Sequence, residues 1–198
     1  MMQKPDLEFK VIEGKSIYLR PLDKEDVKSI TRWHNDREIM ALFALTRAGP
    51  EEYWSEWLDK KLQSPNAIYF GIVKKGDERL IGHIHLEEIY WSHRLCRDLG
   101  IIIGEKDEWS KGYGTEAMEL IMRYAFGELG MHRLELMTFD FNERGKKVWE
   151  KCGFKQEGVM RKARLANGEW RDLIFYALLE DEYRGRSSSS PAPVQPTR

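Results

Sequence analysis

The chain has 198 residues, of which 41 % are apolar and 33 % charged. That is the composition of a globular chain long enough for one hydrophobic core, and it excludes a largely disordered or membrane-embedded protein. Its 32 basic and 33 acidic residues leave a formal net charge of −1, so no overall basic field draws in nucleic acid or an anionic membrane.

The two cysteines, Cys96 and Cys152, form neither a disulfide framework nor a metal-binding pair. No apolar run approaches the roughly 20 residues of a bilayer span. Residues 1–10 carry no apolar leader, so the expectation is a cytoplasmic protein in a reducing compartment.

Residues 1–15 are polar and weakly patterned, and read as an N-terminal extension. The first strand is expected over residues 16–20, ended by Pro21. Asp23, with Asp26 three residues on, has the spacing of a reciprocal helix cap, and the helix it opens should reach about Asn35. A second helix starts near Pro50, a residue favoured in a first turn. It carries Tyr53, Trp54, Trp57 and Leu58, an aromatic set that either packs in the core or lids an acceptor pocket.

Strands follow. Ile68, Phe70 and Ile72 alternate, Gly76-Asp77 marks a turn, and residues 80–88 form the return strand. On it His83, His85 and Glu87 share one face, with Ile84 and Leu86 on the other. Two histidines and a carboxylate are zinc-type ligands. No fourth ligand is evident, so no metal is expected, and that face reads as solvated or turned toward an acceptor. Glu87 and Glu88 are accordingly candidate amine-binding residues. After a polar loop around residues 91–94 comes a strand over residues 99–103.

A helix opens at about Gly112, with Ala117, Leu120, Ile121, Tyr124 and Ala125 at i, i+3, i+4, i+7 and i+8. Gly127 and Gly130 end it. Residues 133–139 read as a strand and residues 143–151 as a short helix stopped by Gly153. Two last strands, residues 155–165 and 169–178, flank Asn167-Gly168, a strong hairpin signal. Residues 184–198 hold a four-serine run and three prolines, the composition of a disordered tail. The folded domain is thus expected over residues 16–183. The element order lacks the regular alternation of a doubly wound fold, so the expected class is α/β, a single mixed sheet with helices on both faces.

The most chemically specific segment is Trp109-Ser110-Lys111-Gly112-Tyr113-Gly114-Thr115, between an apolar strand and an amphipathic helix. Glycines let backbone N–H groups approach phosphate oxygens. A helix N-terminus adds unpaired donors and partial positive charge, and Lys111 brings a full charge. A diphosphate matches this site, while a plain glycine-rich connection is the other reading. The spacing is not that of a Walker loop, nor of a dinucleotide fingerprint, since Ala117 fills the place of the last glycine.

Residues 111–117 resemble motif A of the GNAT N-acetyltransferases. The resemblance continues through Asn142 and Trp149-Glu150-Lys151-Cys152-Gly153-Phe154, and takes in Tyr18-Leu19-Arg20-Pro21-Leu22 and Asn167-Gly168-Glu169-Trp170-Arg171-Asp172. It is nearest to the branch with ribosomal-protein alanine and spermidine N-acetyltransferases. It implies acetyl-CoA bound in a V-shaped gap between two splayed parallel strands, residues 99–103 and 133–139. Backbone groups of Ile101 and Ile103 would meet the pantetheine amides. The N–H groups of Ser110, Lys111, Gly112, Tyr113, Gly114 and Thr115 would hold the pyrophosphate, and Asn142 would bind near the second strand. The family motif usually opens with Gln or Arg where this chain has Trp109.

Many members supply the thiolate's proton from a Tyr; Trp149 stands at that position, and an indole N–H donates a hydrogen bond without acting as an acid. Tyr113 and Cys152 are nearby substitutes. Asp98 is the expected catalytic residue, deprotonating the amine through water or binding its charge. A salt bridge to Arg97 or Arg94 is the alternative role. The implied activity is acetylation of a primary amine on a small molecule such as a polyamine, amino acid or antibiotic. Acetylation of a protein N-terminus and a non-catalytic acyl-CoA-binding module are the alternatives. The expected partner is then a small amine or a peptide N-terminus, with no nucleic acid and no membrane; a homo-oligomer is compatible with the sequence.

Overall fold

The structure is a computed structural model that describes Lys4, Asp6 and residues 10–43, 48–166 and 168–187. Eight strands alternate with six helices: β1 (Ile12–Glu13), β2 (Ile17–Pro21), α1 (Val27–His34), α2 (Arg37–Ala41), α3 (Glu51–Gln63), β3 (Ile68–Lys74), β4 (Arg79–Tyr90), β5 (Leu95–Ile103), α4 (Tyr113–Gly127), β6 (Arg133–Phe139), α5 (Glu143–Lys151), β7 (Lys155–Ala166), β8 (Glu169–Leu179) and α6 (Glu180–Ser187). None of these helices is long and apolar enough to cross a membrane.

The strands form one sheet in the order β1-β2-β3-β4-β5-β6-β8-β7. Every neighbouring pair is antiparallel except β5 and β6. Those two run parallel and pair only at Leu95–Arg133 and Cys96–Leu134. Each keeps its outer partner much further: β5 stays on β4 as far as Ile103, opposite Gly82, and β6 stays on β8 as far as Phe139, opposite Leu173. Beyond Cys96 the sheet therefore divides between β5 and β6.

Helices cover both faces. On one, α4 buries eight residues, among them Ala117, Leu120, Ile121, Tyr124 and Ala125, against Ile84, Leu86 and Leu99 of the sheet. The apolar spacing read from the sequence is the set that meets the strands. On the other face α1 and α3 place Ile30, Trp33 and Leu58 over Tyr69 and Ile102. Trp54 is 5 % exposed, so in that aromatic set it is a packing residue.

The expected caps and strands are present, with instructive departures. The Asp23 backbone N–H donates to Asp26 Oδ2 at 2.9 Å, and Asp23 Oδ1 accepts from Glu25 N–H at 2.8 Å, closing the reciprocal cap. β2 takes in Pro21 as its last residue. Helix α2 was not expected; it is only five residues long, too short for a helical period to show, and begins on the Asp36 cap. β5 starts four residues earlier than its apolar run, because Arg97 and Asp98 interrupt the pattern. β1 lies within the expected N-terminal extension, and α6 runs past residue 183 to Ser187, with Tyr183 stacked on Phe126 at 4.8 Å. The rest of the expected tail, residues 188–198, lies outside the described residues, as does Asn167. The hairpin itself closes at Ala166–Glu169.

Candidate active site

The open edge of β5 follows from its register. Gly104 N–H donates to Ile81 O at 2.8 Å, which makes Ile102 and Gly104 the residues bonded to β4. Hydrogen bonding alternates along an antiparallel strand. The backbone groups of Ile101 and Ile103 therefore turn away from β4, toward the division between β5 and β6. The Ile103 carbonyl already accepts from the Trp109 indole N–H at 2.7 Å.

From β5 a short 3-10 turn, Lys106–Glu108, leads into the glycine loop. Ser110 and Gly112 take positive φ, 63° and 93°, and Gly112 is the N-cap of α4 with no side-chain cap bond. Glu116 N–H is bonded to Gly112 O, which leaves Tyr113, Gly114 and Thr115 as the first-turn donors that the helix cannot satisfy. A Cβ on Gly112 would meet nothing within 4 Å, and one on Gly114 only Ile103, at 3.9 Å. These glycines open a hollow rather than relieve a clash. Unpaired donors around a space that side chains would fill suit a diphosphate.

The charges beneath the loop differ from expectation. Lys111 is not free: its ammonium lies 2.8 Å from Glu108. Glu108 is 3 % exposed and also takes Lys74 at 2.9 Å. The two ammonium groups hold its carboxyl below the usual range. Next to it, buried Glu105 accepts from Arg32, Arg79 and the Trp33 indole. Across the mouth of the gap, the Arg144 guanidinium of α5 lies 4.1 Å over the Trp109 ring. Arg144 leaves no signal in the sequence, since its spacing matches no motif.

Asn142 is the N-cap of α5. Its Oδ1 accepts from Gly145 N–H and its Nδ2 donates to Thr138, both at 3.0 Å. One amide hydrogen is left over. Two helix turns further, Trp149 is 7 % exposed, and its indole N–H is buried without a partner among the described residues. Cys152 is fully buried and its thiol is pushed up to about 11 by burial. Tyr113 is partly buried against the main core.

The other face of β4 and β5 carries the titratable groups. Asp98 stands opposite Glu87, and Gly100 opposite His85. The His85 ring lies across Gly100, where an added Cβ would sit 2.4 Å from it, and stacks on Tyr69 at 4.9 Å. Its Nε2 is 3.9 Å from Asp98 Oδ1. Arg97 and Arg94 go elsewhere, to Glu135 and Glu180, so Asp98 has neither of the arginine partners considered from sequence. The His85 imidazole holds the Asp98 carboxyl below its ordinary range. Ligand atoms of His85, Glu87 and Asp98 lie within 4.8 Å of one another, and the Lys61 ammonium pairs with Glu87. Glu88, in a left-handed conformation at φ 49°, lines with Glu87, Lys61 and Tyr90 a cavity of about 400 Å³.

The expectation of a solvated His83 face is corrected. His83 is 1 % exposed, covered by α1 and α3, and its Nε2 meets His34 Nε2 at 3.1 Å. Burial pushes His34 down to about 4 and His83 well below the usual range. His83 is therefore a core group, and the metal-type grouping on this face is His85, Glu87 and Asp98.

Comparison with known proteins agrees with this geometry. Residues 16–155 match the family described as an acetyltransferase (GNAT) domain. The chain is 32 % identical over 180 residues to a Bacillus subtilis protein named "Probable N-acetyltransferase YjcK", covering 87 % of this chain and 98 % of the relative. It is 27 % identical over 169 residues to the spermidine N(1)-acetyltransferase of Vibrio cholerae, covering 85 % and 96 %. The fold is similar to the crystal structure of spermidine N-acetyltransferase from Vibrio cholerae in complex with CoA and spermine. That match has a TM-score of 0.81 and 24 % identity, and covers 86 % of this chain and 99 % of the other; at that identity it speaks for the fold.

Proposed function

This chain belongs to the GNAT acetyltransferase family, and from that premise we propose that it acetylates a primary amine of a small molecule, of the polyamine, amino acid or antibiotic type. The observation that carries this reading is the grouping of Glu87, Asp98 and His85 beside the divided strands. The Asp98 carboxylate and the His85 imidazole suit the N–H donors of an ammonium group, with Glu87 beside them held by Lys61. A relative named for spermidine acetylation supports the same acceptor class.

Acetyl-CoA supplies an activated thioester to this site. The chain's part is to hold it and to manage protons. Ile101 and Ile103 offer backbone groups to the pantetheine arm, with the Ile103 carbonyl shared with Trp109. The N–H groups from Ser110 to Thr115 hold the pyrophosphate, and Asn142 offers its spare amide hydrogen. Asp98 stays ionised and binds the ammonium charge. The proton passes to His85, whose imidazole stands beside the Asp98 carboxylate and can accept one. The Trp149 indole N–H, buried without a partner among the described residues, would offer the leaving sulfur a hydrogen bond but no proton; the thiolate's proton would come from the attacking ammonium or from water.

The test is release of free thiol from acetyl-CoA with a panel of amines, peptides and aminoglycosides. Release with spermidine or another small amine but not with peptides supports the reading. Release with peptides alone assigns a protein N-terminus instead. Tight cofactor binding with no release on any acceptor assigns a binding module.

A further inference from the structure

We propose that Arg144 is a phosphate-binding residue for the cofactor, held ready over the loop by the Trp109 ring. The inference rests on the acetyl-CoA reading above and adds to it the source of the missing charge.

A diphosphate brings at least two negative charges to the loop, and Lys111 cannot meet them alone. Its ammonium is shared with Glu108, a carboxylate that is 3 % exposed and cannot turn to solvent. Arg144 is placed differently. It lies in the first turn of α5, with its guanidinium 4.1 Å from the Trp109 ring centre, and has no carboxylate partner among the described residues. The nearest acid in sequence, Glu143, is paired with Lys146.

Trp109 is itself fixed, its N–H on the Ile103 carbonyl at the end of β5. The chain thus runs from strand to indole to guanidinium, across the mouth of the gap and beside the uncapped start of α4. Stacking uses the flat face of the guanidinium and leaves its in-plane N–H groups free. A planar fork of donors is the geometry that binds phosphate oxygens in pairs. Trp109, which departs from the Gln or Arg usual in the motif, then acts as a positioning residue: it gives up a charge at its own place and orients one from α5.

The experiment is calorimetric titration of the full chain with CoA and with dephospho-CoA, which lacks the 3′-phosphate, for wild type, Arg144→Gln, Arg144→Lys and Trp109→Leu. Arg144 is exposed, so folding should be retained, and a thermal melt checks it. Arg144→Gln is expected to weaken CoA about tenfold or more. Arg144→Lys should recover only part of the loss, since an ammonium has no fork, and Trp109→Leu should weaken binding less than Arg144→Gln. Equal weakening toward both ligands assigns the contact to the pyrophosphate. Weakening toward CoA alone assigns it to the 3′-phosphate. Unchanged affinity of Arg144→Gln for both ligands overturns the inference, while a wild-type protein that binds neither overturns the cofactor reading beneath it.

Discussion

At the scale of single residues, the site depends on how His85 is held. Tyr69 stacks on one side of its ring, and Gly100 leaves room on the other, where a methyl group would collide at 2.4 Å. If His85 takes the amine's proton, His85→Gln should lower kcat/KM about a hundredfold, the scale of general base catalysis. Gly100→Ala should give most of the same loss by pushing the ring aside. Both variants should keep wild-type affinity for CoA, since neither side chain faces the loop. Steady-state kinetics beside a CoA titration checks this. The sequence named Asp98 and Glu87 but undervalued His85, because its stacking partner is on another strand and its free space depends on a glycine opposite. Neither relation exists along the chain. Lys111 teaches the same lesson: the sequence shows its charge, but not that Glu108, tied down as well by Lys74, holds it.

Among the elements, α4, β6 and α5 were readable nearly to the residue. Each has a complete period and a glycine or cap at its end. The start of β5 and the short α2 were not, because charged residues and brevity hide their period. The reciprocal cap at Asp23 and Asp26 was visible in the spacing, yet its second function was not: Asp26 also accepts two hydrogen bonds from Arg20, each 2.8 Å, tying β2 to α1. Asp26→Ala should therefore cost roughly 3 kcal/mol, the scale of breaking a largely buried pair, against roughly 1 kcal/mol for Asp23→Ala, which loses a cap and an exposed, longer contact to Arg20 at 3.6 Å. Urea melts of the two variants separate these contributions.

The contact between α1 and β4 through His34 and His83 has a pH signature. The folded state lowers the ionisation of His34 from 6.5 to about 4, so the unfolded chain binds more protons between those values, and stability falls as pH drops through that window. From pH 7 to pH 5 the loss from His34 alone is on the order of 2 kcal/mol, and His83 acts in the same direction. Chemical denaturation at the two pH values measures it, and a His34→Phe variant should show a smaller fall.

Over the whole molecule, the division of the sheet is the feature from which the rest follows. β5 and β6 start paired and part after Cys96, while β4 and β8 hold them on either side. The sequence implied this only through resemblance, since strand order and parallel pairing leave no mark in local pattern. The gap lies between the two strands whose C-terminal ends lead to the glycine loop and to the Asn142 cap. A ligand seated there links two halves of the sheet whose strands pair, among the described residues, only at Leu95–Arg133 and Cys96–Leu134. Acetyl-CoA at a hundred times its dissociation constant should raise stability by about 2.7 kcal/mol, and amide exchange at Ile101 and Ile103 should slow with it.

The most direct test of the central claim is thiol release from acetyl-CoA with small amines, run on wild type and Gly112→Val together with a CoA titration. Gly112 sits at φ 93° over open space, so valine both strains the backbone and fills the hollow. The account predicts amine-dependent release by the wild type, and loss of both release and CoA binding in the variant, which should still fold. CoA binding unchanged in Gly112→Val, or no release by the wild type with any small amine, would contradict it.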